Sequence, residues 1–122
     1  MAGGLSIHCV DVASGRVATG LRVTLRRLGP DGEPQGDALA EGSIGANGLL
    51  QHPALMSEAI TSGGYEVRFA VGAFYRGQGA PLPSPAFLEN VPYRFHIADI
   101  TQHYHLPFKF TAWGFSLFRG GA

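Results

Sequence analysis

The run Tyr65-Glu66-Val67-Arg68-Phe69-Ala70-Val71 puts Tyr65, Val67, Phe69 and Val71 on one side and Glu66, Arg68 and Ala70 on the other. A period of two describes an extended strand with one face on a core and the other towards solvent. Upstream, Leu21, Val23 and Leu25 alternate with Arg22, Thr24 and Arg26 in the same way. Downstream, Tyr93, Phe95 and Ile97 alternate with Arg94, His96 and Ala98. Between Leu5 and Val12, Ile7, Cys9 and Asp11 alternate with Ser6, His8 and Val10. The chain carries 18 glycines and 8 prolines, and no segment keeps a helical period for long. Short strands divided by turns predict an all-β fold, a two-sheet sandwich.

The connections read as turns for specific reasons. Leu28-Gly29-Pro30-Asp31-Gly32 combines a preset φ at proline with a glycine that tolerates positive φ. Asp11 to Arg16 and Gly45-Ala46-Asn47-Gly48 are also turns, the latter leading into Leu49-Leu50-Gln51-His52. Leu39 to Ser43 is a short strand candidate. Pro53 to Thr61 suits one or two helical turns, and Gly72 to Gly79 a short helix or loop. The prolines of Ala80-Pro81-Leu82-Pro83-Ser84-Pro85 exclude both helix and central strand.

The ending His103-Tyr104-His105-Leu106-Pro107 places both histidines on one face of a strand with Tyr104 behind them. Pro107 lacks a ladder donor and is expected at a strand edge or bulge. A break at Gly114 turns the chain into a terminal strand, Phe115-Ser116-Leu117-Phe118, whose apolar character predicts packing against a second copy of the chain. Trp113 and the phenylalanines are expected in the core and at subunit contacts.

The 122 residues form one domain, 1–122. Nine basic and nine acidic residues cancel, which favours neither nucleic acid nor an anionic membrane as a partner. No run reaches the ~18 apolar residues of a membrane span. The start Met1-Ala2-Gly3-Gly4 has no basic or apolar leader pattern, and the single Cys9 suits a reducing compartment, so the expected location is the cytoplasm. His103 and His105 have no defined third partner, so no metal and no cofactor is assigned. Cys9 neighbours His8 but faces the core, so it is not a nucleophile. His52 and His96 read as exposed or structural.

Three pieces together resemble the transthyretin and 5-hydroxyisourate hydrolase family. They are Leu5-Ser6-Ile7-His8-Cys9-Val10-Asp11-Val12-Ala13-Ser14-Gly15-Arg16, the segment Tyr65 to Ala73, and the ending His103-Tyr104-His105-Leu106-Pro107, Gly114-Phe115-Ser116 and Arg119-Gly120. The resemblance implies a transthyretin-like sandwich with one short helix. It also implies a homotetramer, a dimer of dimers, whose active sites lie at a subunit interface. By the resemblance His8 and His105 are catalytic, and Arg119 and Gly120 match the middle of the family's terminal Tyr-Arg-Gly-Ser. The sequence departs at three positions: Leu49 replaces an arginine, Phe118 the tyrosine and Gly121 the serine. The Pro81 to Pro85 loop is longer than the family's. The expected substrate-binding set is Leu49, Arg119, Phe118, Gly121, His103 and Gln51, with Gln51 or His52 near enough to Leu49 to supply a replacement donor.

What the resemblance implies is hydrolysis of a cyclic amide-type bond. A histidine that exchanges a proton near neutrality suits the activation of water. The changes at Leu49, Phe118 and Gly121 remove donors and enlarge the site. They suit an N-methylated relative of 5-hydroxyisourate derived from a methylxanthine such as caffeine; a second reading keeps plain 5-hydroxyisourate as the substrate at reduced efficiency. The alternative is a non-catalytic transthyretin-like protein that binds a small molecule.

Overall fold

The computed structural model describes residues 3–121; Met1 and Ala2, read above as free of a secretory signal, and Ala122 lie outside them. In chain order the elements are β1 (Leu5–Asp11), β2 (Arg16–Val17), β3 (Arg22–Leu28), β4 (Pro34–Ser43), a 3-10 turn (Pro53–Met56), β5 (Gly63–Phe69), α1 (Val71–Gly77), β6 (Val91–Ile97), β7 (Tyr104–Phe110) and β8 (Phe115–Leu117). They form two four-stranded sheets, ordered β2-β1-β7-β8 and β4-β3-β5-β6. The expected sandwich with one short helix is what the chain forms.

The core lies between the sheets. β1 contributes Leu5, Ile7 and Cys9, and β7 contributes Tyr104, Leu106, Phe108 and Phe110. Opposite them are Val23 and Leu25 of β3 and Tyr65, Val67 and Phe69 of β5. The rings of Phe69 and Phe108 stack across the interior with centroids 3.8 Å apart. Each such buried apolar side chain contributes about 1.5–3 kcal/mol over an exposed one. β1 and β7 pair in parallel, from Leu5 opposite Tyr104 to Asp11 opposite Phe110. This pairing positions the site, because it sets the outward residues of the two strands side by side.

Several local expectations change. The Leu39 to Ser43 candidate is the second half of β4; Gln35-Gly36-Asp37 in the first half is exposed and gives no apolar alternation to read. A register shift between Leu25 and Arg27 lets β4 stay on β3 around the irregularity. The helical candidate after Pro53 is only a 3-10 turn, capped by Nδ1 of His52, which accepts from the Ala54 N–H at 3.1 Å. Trp113 is not core: it sits in the turn joining β7 to β8 and is 62% exposed, because the Thr111 N–H to Gly114 carbonyl bond (2.8 Å) carries it past the end of the inner face.

Pro107 lies within β7, opposite His8 and without a bulge, and the edge expected for it is the side of β7 turned away from β1. The neighbouring odd residue His105 turns its carbonyl away from β1, towards Gly120. By alternation the missing donor of Pro107 faces that same side, where β8 reaches only Phe108 to Phe110. No bond to β1 is lost.

On the outer face of the second sheet Glu66 is buried despite its polar position in the alternation. Arg94 Nε reaches it at 3.0 Å and Arg68 at 3.2 Å, which supplies the pairing a buried carboxylate needs.

Candidate active site

The outer face of β1 carries Ser6 and His8, and the outer face of β7 carries His105. In register, Ser6 stands opposite His105 and His8 opposite Pro107. Ser6 Oγ lies 2.6 Å from His105 Nδ1 and 2.8 Å from His103 Nε2. The other nitrogen of His103 lies 2.7 Å from the Gly3 carbonyl oxygen. The two strands therefore bring His8, His103 and His105 together on one surface. Partial burial, then the charges of His8 and His103, hold the His105 imidazolium below the usual histidine range.

His8 is placed from its far side by the turn Gly45 to Gly48. Asn47 Oδ1 accepts from the Leu49 N–H at 3.0 Å, and Leu49 forms an isolated antiparallel bridge with His8. Gly48 has φ +82°, and a Cβ there would collide with the His8 ring and with Val17. Residues paired across such a bridge share a face, so Leu49 flanks His8. Gln51, two residues on, is exposed. His52 caps the 3-10 turn and His96 lies exposed on β6; neither joins the histidine surface. Cys9 is fully buried on the opposite face of β1, and burial raises its thiol far above the reactive range.

At the C-terminus Gly120 donates its N–H to the His105 carbonyl at 2.7 Å. Arg119, named above for the substrate-binding set, is held within the single chain by Tyr104, Gln102 and the His103 carbonyl. Its guanidinium packs 3.9 Å from the centroid of the Tyr104 ring, donates to Gln102 Oε1 at 2.9 Å and reaches the His103 carbonyl at 3.3 Å. It braces the entry to β7 from the face opposite His105. Phe118 is half exposed, and Gly121 has open space around it.

A concavity of about 350 Å³ is lined by Asp11, Ser14, Arg16, Val17, Thr19, Phe74 and Gln78, at the far end of β1 from Ser6. It does not touch the histidines. On a single chain they lie on an open sheet surface, and a sheet face becomes a pocket only when something stands opposite it. No group of three His, Cys, Asp or Glu side chains among the described residues is arranged to hold a metal ion.

A family model described as "HIUase/Transthyretin family" matches residues 5–120. The chain belongs to this family. Within it, the chain is 39% identical over 121 residues to "5-hydroxyisourate hydrolase 2" of Rhizobium meliloti, covering 97% of this chain and 96% of that one. It is 40% identical over 118 residues to the 5-hydroxyisourate hydrolase of Mesorhizobium japonicum, covering 97% and 92%. Among solved structures, the Klebsiella pneumoniae 5-hydroxyisourate hydrolase matches with TM-score 0.76 at 28% identity, covering 98% of this chain and 94% of that one. An (S)-allantoin synthase matches with TM-score 0.86 at 32% identity, but this family domain spans only 44% of its length. Sea bream transthyretin in complex with thyroxine shares the fold at TM-score 0.82 and 21% identity, covering 98% and 96%.

Sequence reasoning missed Ser6 as part of the site. The signal was available: Ser6 precedes His8 by two residues on an alternating strand, so the two must share a face.

Proposed function

We propose that this chain is a hydrolase that opens the ring of 5-hydroxyisourate. The observation that carries the reading is the placing of His8 and His105 on one outer face of two adjacent strands, with His105 biased towards its neutral form. Neutral imidazole is the form that accepts a proton. In the step we infer, His105 takes a proton from water as the water oxygen bonds to the ring carbonyl carbon. The C–N bond breaks, and the proton passes to the leaving nitrogen, directly or through His8. The relatives named 5-hydroxyisourate hydrolase support this substrate class.

We further infer a homotetramer in which a second subunit closes the open histidine face. Trp113, Phe115 and Phe118 support it, since all three are substantially exposed around the β7–β8 hairpin. Self-complementary surfaces of this kind ordinarily close with two-fold symmetry. Light scattering should give four chains per particle; a monomer at micromolar concentration would remove the shared site.

The finer proposal concerns the substrate's nitrogens. Leu49 beside His8 offers methyl groups where the family resemblance places a guanidinium, which suits an N-methylated 5-hydroxyisourate. A buried methyl contributes ~0.8 kcal/mol.

The test generates the unstable substrate in place with a urate-oxidising enzyme and follows absorbance with the blank rate subtracted. His8→Ala and His105→Ala should each lower turnover by about 10²-fold or more, as loss of a general base does. His96→Ala should leave it within a few-fold. Full activity in His105→Ala would discard the site, and binding without turnover by the native chain would make it a carrier.

A further inference from the structure

Three polar contacts run in line through the histidine surface, from the Gly3 carbonyl through His103 and Ser6 to His105. A carbonyl oxygen only accepts, so Nδ1 of His103 carries a proton. With His103 neutral, its Nε2 then carries a lone pair, and at 2.8 Å it accepts a hydrogen bond from the Ser6 hydroxyl. The Ser6 oxygen has its one proton committed and accepts, at 2.6 Å, from Nδ1–H of His105. What remains on His105 is a bare Nε2. Each assignment follows from the one before it.

We propose that Ser6 is a positioning residue that couples His103 to His105 and fixes which nitrogen of His105 bears the proton. A neutral imidazole holds one proton on either nitrogen, and only the unprotonated one can act as a base. Ser6 keeps the proton of His105 on the nitrogen facing the protein and so presents Nε2 as the acceptor. The direction of the chain depends on His103. If His103 becomes cationic, its Nε2–H donates to Ser6, the Ser6 hydroxyl turns to His105 Nδ1, and the proton of His105 stands on Nε2. His105 is then a donor. His103, which precedes β7 and lies four residues before the Pro107 that pairs with His8, thus acts through Ser6 on the character of His105.

The frame for this coupling is rigid at both ends. Gly3 donates its N–H to the Ile100 carbonyl at 2.7 Å, and Tyr104 donates to the Gly4 carbonyl at 3.0 Å, which holds the Gly3 carbonyl over His103. Ser6 is paired in register with His105. The ionisable groups that face His105 are His8 on β1 and His103 at the entry to β7. Lys109 shares the outer face farther along β7 and is exposed, while Arg119 is turned to Tyr104 and Gln102.

The consequence for turnover rests on the hydrolase reading above; the tautomer does not. The test therefore has two readouts on ¹⁵N-labelled protein. Imidazole ¹⁵N shifts at pH ~8, above the ordinary histidine value of ~6.5, should show His105 protonated on Nδ1 in the native chain. Ser6→Ala should move that proton towards Nε2, and Ser6→Thr, which keeps a hydroxyl and suits a strand, should restore the native pattern. Turnover of 5-hydroxyisourate should fall ~10-fold in Ser6→Ala through kcat, with KM little changed, and recover in Ser6→Thr; the loss is smaller than for removing a base outright. Native His105 protonated on Nε2, or an Nδ1–H signature that survives Ser6→Ala, would overturn the coupling. A native chain without turnover whose His105 tautomer still responds to Ser6 would instead sink the hydrolase reading and leave the coupling intact.

Discussion

Gly120 and His105 are related twice: the Gly120 N–H donates to the His105 carbonyl at 2.7 Å, and the space a Cβ on residue 120 would need is taken by the edge of the imidazole. A Cβ on residue 120 would stand 2.8 Å from His105 Cδ2 and 3.3 Å from Pro107 Cδ. A real Cβ does not occupy such a position without moving its neighbour. Gly120→Ala should therefore shift the His105 ring and lower kcat by ~10-fold or more, since misplacing a catalytic group by about an ångström is costly. Gly121→Ala, which meets nothing, should be near neutral. Equal activity of the two variants would show that the tail does not position His105.

The pH profile follows from the downward shift on His105, caused first by burial and then by His8 and His103. As a base it should remain neutral and active to lower pH than an ordinary histidine, placing the acid limb of kcat/KM below ~6.5. The same shift affects folding. Its stabilising contribution is complete above the unfolded value near ~6.5 and is lost as pH falls through the lower folded value. His105→Phe should flatten that part of the stability curve, measured by urea unfolding across pH. An acid limb above ~6.5 would contradict the assignment of His105 as the base.

Leu49 discriminates adaptation from decay. If the apolar side chain beside His8 is an adaptation, the native chain should prefer a methylated 5-hydroxyisourate by tens to hundreds, the ratio available from ~1–3 kcal/mol of methyl contact. Leu49→Arg should erase that preference, because a guanidinium facing a methyl group loses water without gaining an acceptor. If the native chain accelerates the plain compound more than the methylated one, the adaptation reading falls.

Tyr75 and Asp11 test the other end of β1. The Tyr75 hydroxyl donates to Asp11 Oδ1 at 2.5 Å within the buried layer under α1. Burial first, then the hydrogen bond and charge of Asp11, push the phenol upward, so it stays a donor. Tyr75→Phe leaves that carboxylate oxygen with only the weaker Ala13 N–H at 3.2 Å and should destabilise the fold by about 1–3 kcal/mol. Turnover should stay within a few-fold, because the pair lies at the end of the strand away from Ser6. A large loss of turnover with unchanged stability would move the active site towards Asp11.

Much of this protein is local information. The period of two in Leu5 to Asp11, in Tyr65 to Phe69 and in Tyr104 to Phe110 determined which residues face the core, and with them the sandwich. It also put Ser6 with His8, and His103 with His105, because residues two apart on a strand cannot avoid sharing a face. What alternation does not carry is the neighbour of each strand. The parallel pairing of β1 with β7 joins segments nearly a chain length apart, and only that register sets Ser6 against His105. The buried Glu66 and the exposed Trp113 follow the same rule. One is enclosed by Arg68 and Arg94 from its own sheet and the other is carried past the sheet end by a turn, so hydrophobicity alone does not tell that the one is buried and the other exposed. Arg119 is the clearest case: a guanidinium on a flexible stem goes to whatever acceptors and ring the folded chain presents, and here these are Gln102, the His103 carbonyl and Tyr104. Strand faces are properties of consecutive residues; pairing, register and the reach of long side chains are properties of the assembled sheets.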